Sequence, residues 1–222
     1  MTSLSQMSFA GSPLSMMGML AALSVLPFAV MMLTSFSKIA VVLSLARSAM
    51  GTQQAPPTLV LTGLAAVLTG LVMAPVVERM YDVGQAVHQE ADSGARILEA
   101  AAKVTEPLRS FLLKHGSVEE RERLVEMARE LRPPEDAARV GAEDLFVIIP
   151  AFVLTELKEA FQIGFLVFLP FLVLDMVVAN VLLALGMQSL SPSQVSLPFK
   201  ILLFVAVDGW SLLARGLVLG YR

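Results

Sequence analysis

The chain has 222 residues, of which 56% are hydrophobic and 16% charged, with a formal net charge of −3. An ordinary soluble domain carries about 25% charged and about 45–50% apolar residues, so the composition excludes a water-soluble globule and a disordered chain. The absence of cysteine removes thiolate catalysis, sulfur-bound zinc and disulfide stapling.

Two charges precede Glu78, 25 fall between Glu78 and Asp144, and eight follow. This divides the chain into hydrophobic helices over 1–77, a polar helical insert over 78–144 and a hydrophobic helical hairpin over 145–222. The insert carries a net −5, against +2 before it and 0 after it, which leaves no basic face for nucleic acid. An all-α membrane protein of polytopic helical hairpins fits this pattern.

The first apolar stretch, Leu14–Leu33, is long enough to cross about 30 Å of hydrocarbon. Its first positive charge, Lys38, follows the apolar run, opposite to a signal peptide, so the segment is expected to be retained. Apolar character resumes at Ile39–Leu45. Met50–Pro57 is a turn by its glycine, amides and proline pair, and Pro57 suits the first position of the next helix. The charge-free span Thr58–Val77 ends at Glu78-Arg79.

In the insert, Ile97, Ala101, Val104, Leu108 and Phe111 form one stripe and Val118, Val125, Ala128 and Leu131 another. Ser117 and Glu120 have the spacing of a capping box. The two helices are expected to pack on each other or on a neighbouring subunit. Beyond the insert, Leu145–Thr155 reads as a half-length apolar approach, Glu156–Glu159 as a polar step, and Phe161–Leu185 as a span kinked at Pro170. Gly186–Pro198 reads as a turn and Ile201–Leu219 as the last span. Placing Lys38, Arg47 and Lys200 in cytoplasmic loops gives four crossings, with both termini and the insert on the far side.

Lys38, Asp175, Asn180 and Asp208 lie in or beside apolar spans, where an ionisable group is a functional candidate by default. They could carry an ion or proton, or could pair across helix and subunit contacts. A serine–lysine dyad at Ser37 and Lys38 finds little support, because adjacent helical residues point about 100° apart. His88 and His115 lack ligand-like spacing. Methionines cluster at Met16, Met17, Met19, Met31 and Met32, with Met187 alone in the Gly186 turn. Such flexible side chains can serve core packing or a deformable seal.

Three groups of residues carry a family resemblance. Thr34–Leu43, the Gly51–Pro57 turn and Val72–Pro75 form the first, and Pro107–Lys114 the second. The third comprises Glu156–Phe165, Phe168–Met176, Ser196–Lys200 and Phe204–Trp210. In this order and spacing, from about Leu23 to Leu219, the chain resembles the type III secretion export-gate subunit called SctR in injectisomes and FliP in flagella. The start without a cleavable signal and the ending Arg215–Tyr221 are more similar to the injectisome branch.

The resemblance implies a non-enzymatic role without a cofactor. It implies a pentamer that assembles with SctS and SctT, beside SctU and SctV, into a helical cone-like gate in the bacterial inner membrane. That gate extends to the periplasmic side and passes unfolded secreted proteins. It also implies a pore loop over 186–200. Where the family has several methionines this turn reads Gly186-Met-Gln-Ser-Leu190, so Met187, Gln188 and Leu190 are the expected pore-facing residues. Lys38, Glu156, Lys158, Asp175, Lys200 and Asp208 are expected at inter-subunit polar contacts. A small ion- or proton-coupled transporter using Asp175 and Asp208 is the alternative, and an intramembrane hydrolase a distant third.

Overall fold

Long apolar runs without glycine or proline clusters have one way to satisfy their backbone groups within the segment itself, away from water, and that is a helix. The computed structural model describes residues 13–52, 54–90 and 97–222, and each element within them is helical. In chain order these are α1 (Pro13–Leu33), α2 (Phe36–Ala49), α3 (Thr58–Glu90), α4 (Ile97–His115), α5 (Val118–Glu130), α6 (Pro134–Ala137), α7 (Leu145–Ala184), α8 (Pro192–Ala206) and α9 (Gly209–Leu219). The side chains of His88, Ile97 and Met19 lie outside the described residues.

Helices α1, α3 and α7 are long and apolar enough to cross a membrane, and α8 with α9 makes a fourth crossing if the bent pair is one span. Large apolar side chains cover their outer faces, including Leu23, Leu71, Phe165 and Met176. A water-soluble protein rarely exposes so much contiguous apolar surface.

Helix α7 is the axis of the molecule. Its 40 residues span about 60 Å at 1.5 Å per residue, twice the thickness of the hydrocarbon core. The half-length approach, polar step and later span expected from the sequence are therefore one helix. The polar step does not break it because Glu156 faces inward to a partner while Lys158 remains exposed. Pro150 lies inside α7 as well as Pro170.

Against this axis packs α2, whose Ile39, Val42 and Leu43 are fully buried with Leu61 and Ala65 of α3, Ala160 of α7 and Leu217 of α9. Contact there is close: a Cβ on Gly164 would meet the Leu45 side chain at 2.3 Å. A second cluster joins Met73 and Val76 of α3, Phe111 and Leu112 of α4, Ile148 and Phe152 of α7, and Tyr221.

Several local expectations are corrected. Helix α3 runs past Glu78-Arg79 to Glu90, since these charges stand on an exposed face where they need not end a helix. Ser117 occupies the N-cap of α5, but its side chain makes no capping bond; its backbone N–H instead donates to Thr155 Oγ1 of α7 at 2.9 Å. The insert helices dock chiefly on the long helices, α4 on α3 and α7, α5 on α7. Of the two stripes, Phe111 and Val125 are buried, while Ala101, Val118 and Leu131 are exposed.

Pro57 precedes α3 and accepts its first backbone bonds, rather than occupying the first helical turn. The Gly186 turn ends at Ser191, with Pro192 opening α8 and Pro198 inside it. The last span is broken by a 57° bend between α8 and α9. Lys38 and Lys200 are helix residues with carboxylate partners, not the loop charges that the topology reading took them for.

Candidate functional site

The α7–α8 hairpin brings the sequence-derived pore residues to its tip. Helix α7 ends in a left-handed glycine: Gly186 has φ +72°, a conformation glycine adopts without a Cβ clash. Its N–H donates to the Leu183 carbonyl at 3.0 Å, and the Met187 N–H donates to the Leu182 carbonyl at 2.9 Å. These are the paired bonds of a Schellman ending, so the helix stops at a fixed point. Ser191 and Pro192 then start α8, with the N–H groups of Gln194 and Val195 donating to the Ser191 carbonyl. Between the helices Met187, Gln188 and Leu190 project outward, Met187 and Leu190 each 47% exposed.

A polar clamp closes the hairpin behind this tip. Lys200 Nζ of α8 lies 2.6 Å from Asp175 Oδ2 of α7, and the Ser196 hydroxyl donates to the other oxygen, Oδ1. Lys200 and Ser196 are buried, while the Asp175 side chain is 30% exposed. A lysine in this setting needs its counter-charge, because desolvation without a partner is expensive. Below the clamp, Phe171 and Phe204 pack with Ala49 and Met50 at the end of α2.

A second polar cluster lies nearer the base. Lys38 of α2, 4% exposed, reaches Glu156 Oε1 at 2.9 Å and Glu159 Oε2 at 2.7 Å. Glu156 is fully buried and its second oxygen accepts the Tyr221 hydroxyl. Lys38 Nζ also stands 4.0 Å from the centroid of the Tyr221 ring, within cation–π range. His115 contacts the same ring edge-on at 5.0 Å. Burial pushes the His115 pKa down to about 4, with the charges of Lys114 and Lys38 acting in the same direction.

Five of the six polar residues singled out by sequence find partners within this chain: Lys38 with Glu156, Asp175 with Lys200, and Lys158 with Glu120 at 3.7 Å. The sixth, Asp208, is exposed at the α8–α9 bend in a left-handed conformation, φ 50° and ψ 50°, and its side chain caps nothing. Asp175 is bonded to Ser196 and Lys200, so the structure does not join the two aspartates into the carrier site of the transporter reading. Lys38 is held by two carboxylates and the Ser37 hydroxyl has no hydrogen-bond partner, which leaves the hydrolase dyad unformed.

Sequence reasoning missed Glu159, Ser196 and Tyr221. Glu159 could have been found, because it lies one helical turn from Glu156. Ser196 and Tyr221 fall in segments that carry the resemblance, but nothing local in the sequence marks either as a partner of a carboxylate.

The sequence pattern of the FliP family matches residues 19–217. The chain is 45% identical over 210 residues to the hypersensitivity response secretion protein HrcR of Ralstonia nicotianae, covering 94% of this chain and 97% of that protein. It is 44% identical over 202 residues to the Yop proteins translocation protein R of Yersinia pestis, covering 91% and 93%. To the flagellar biosynthetic protein FliP of Caulobacter vibrioides it is 45% identical over 208 residues, covering 93% of this chain but 76% of that longer protein.

Proposed function

This chain belongs to the FliP family, in the branch of the HrcR and Yop translocation proteins, and on that premise we propose that it is a channel-forming subunit of a type III secretion export gate. The observation that carries this reading is the tip of the α7–α8 hairpin. A Schellman ending and a serine–proline start fix the turn in place, and the Asp175–Lys200 clamp fixes the two helices behind it. Exposed Met187, Gln188 and Leu190 then stand at a defined position.

In a ring of identical subunits each position is repeated by symmetry, so one methionine per chain becomes a collar of thioethers. Such a collar is apolar enough to resist ions and soft enough to yield to a polypeptide. Gln188 and Leu190 complete the constriction. The role is structural and uses no cofactor.

The assembly is a homo-oligomer, a pentamer in this reading, built with the SctS and SctT subunits and working beside SctU and SctV. It sits in the bacterial inner membrane, with the insert 78–144 on the periplasmic side, toward which the assembled gate extends. The exposed apolar faces of α1, α3 and α7 supply the surfaces that subunits and lipid would cover. Substrates are unfolded secreted proteins.

The test is ion leakage across membranes holding the assembled gate. Met187→Ala shortens one side chain in every subunit and is expected to raise the leak with assembly unchanged. A leak equal to wild type, in particles of normal mass, removes Met187 from the constriction.

A further inference from the structure

Tyr221 lies two residues beyond α9 and is 8% exposed. Four helices meet at its side chain. Its hydroxyl bonds Glu156 of α7, Lys38 of α2 covers its ring, and Phe111 of α4 stacks on it at 6.0 Å with His115 edge-on. Met73 and Val76 of α3 belong to the same buried cluster.

Tyr221 ends an arm that begins at the hairpin tip. Helix α8 starts beside the Met187 turn and carries Lys200, which grips Asp175. The arm then bends by 57° between α8 and α9. At that bend Asp208 takes the left-handed conformation, which side chains other than glycine, asparagine and aspartate rarely adopt. The arm is thus gripped near the tip by one ion pair, held at the base by the buried Leu217 of α9 and by Tyr221 beyond it, and jointed between them.

We propose that Tyr221 is a releasable clasp that holds the α8–α9 arm against the base of the bundle. Withdrawal of its hydroxyl from Glu156 frees the arm to pivot at Asp208 and loosens the turn carrying Met187. The geometry suits release as well as closure. When Tyr221 leaves, Glu156 keeps Lys38 and Lys38 keeps Glu159, so the buried charges stay paired and one neutral hydrogen-bond donor is exchanged. The pivoting part of the proposal rests on the channel reading; the anchoring part does not.

The test uses the assembled complex containing the full chain. Tyr221→Phe keeps the ring and removes the hydroxyl. Amide exchange in α9 is expected to rise about tenfold, as the loss of one hydrogen bond to a charged group implies, with particle mass unchanged and ion leakage raised. Because the chain has no cysteine, Leu61→Cys and Leu217→Cys, placed in one buried cluster, provide a crosslink to lock α9 wherever non-reducing electrophoresis of the fragments verifies that the disulfide has formed. Locking is expected to return the Tyr221→Phe leak to the wild-type level.

Unchanged α9 exchange in Tyr221→Phe overturns the clasp. So does a leak that persists after locking. Faster exchange without leakage, where Met187→Ala does leak, leaves the channel reading standing and overturns the gate role of the clasp. Absence of leakage in Met187→Ala as well removes the channel reading and the pivot with it. A Tyr221→Phe variant that fails to assemble likewise overturns the clasp, because a contact built to release is not one that assembly requires.

Discussion

Lys200 and Asp175 meet at 2.6 Å across the two helices whose connecting turn carries Met187. The pair is asymmetric, the lysine almost fully buried and the aspartate 30% exposed. Removing the aspartate therefore strands a buried cation, whereas removing the lysine leaves a carboxylate that water and Ser196 can still serve. Asp175→Leu is expected to destabilise the protein by about 2–4 kcal/mol, near the range for breaking a buried pair. Lys200→Met is expected to lose less, and the double variant to recover part of the loss. A double-mutant cycle on thermal unfolding in detergent checks this; additive losses would mean that the two groups do not act as a pair.

Gly186 sets where α7 stops. With φ at +72° and no neighbouring atom within 4 Å of an added Cβ, an alanine there suffers no external clash and meets only the left-handed backbone penalty. Gly186→Ala is expected to destabilise by about 1–2 kcal/mol, and to raise ion leakage because the Met187 turn loses its fixed register. Asparagine, which tolerates this conformation, is expected to lie between the two. Equal stability of all three variants would show that the turn is not anchored through this residue.

The same turn shows what the sequence could disclose. Glycine before Met187 and Ser191-Pro192 after it are local signals with a local cause, so its position was legible. The unity of α7 was not, because Glu156, Lys158 and Glu159 look like a break until their partners are known, and those partners lie elsewhere in the chain. Lys38 finds Glu156 118 residues away, and Tyr221 finds it 65 residues away. Both pairings are set by how α2 and α9 pack on α7, which no local pattern encodes. For the same reason Lys38 and Lys200 counted as topological charges in the sequence, while in the fold each is matched by a carboxylate.

His115 gives the protein a pH dependence of definite sign. Its pKa falls from 6.5 to about 4 in the folded chain, because burial beside Phe111 and Tyr221 disfavours the imidazolium. Between those values the unfolded chain binds a proton that the folded chain does not, so stability rises with pH across the window and is flat above it. The melting temperature is expected to fall as the pH drops from 7 to 4, and His115→Gln is expected to reduce that slope. Parallel melting curves for wild type and variant across this range would remove His115 as the cause.

Asp208 separates a backbone role from a charge role. It is exposed, its carboxylate caps nothing, and it adopts the left-handed conformation at the point where α8 meets α9. Gly209 follows it immediately, and a Cβ there would come within 2.4 Å of the Phe204 ring, so the close packing after the bend requires glycine at 209. If the bend is what Asp208 supplies, substitutions should rank by their tolerance of positive φ. Asp208→Asn and Asp208→Gly are expected to stay within about 1 kcal/mol of wild type, and Asp208→Val to lose about 2 kcal/mol because of its branched Cβ. A residue held at a subunit contact by a buried counter-charge gives a different order, since losing the charge alone would cost about 3–5 kcal/mol and asparagine would be as damaging as valine. Melting temperatures and particle mass for the three variants decide between these orders, and an asparagine variant that falls apart into single subunits assigns Asp208 to the contact.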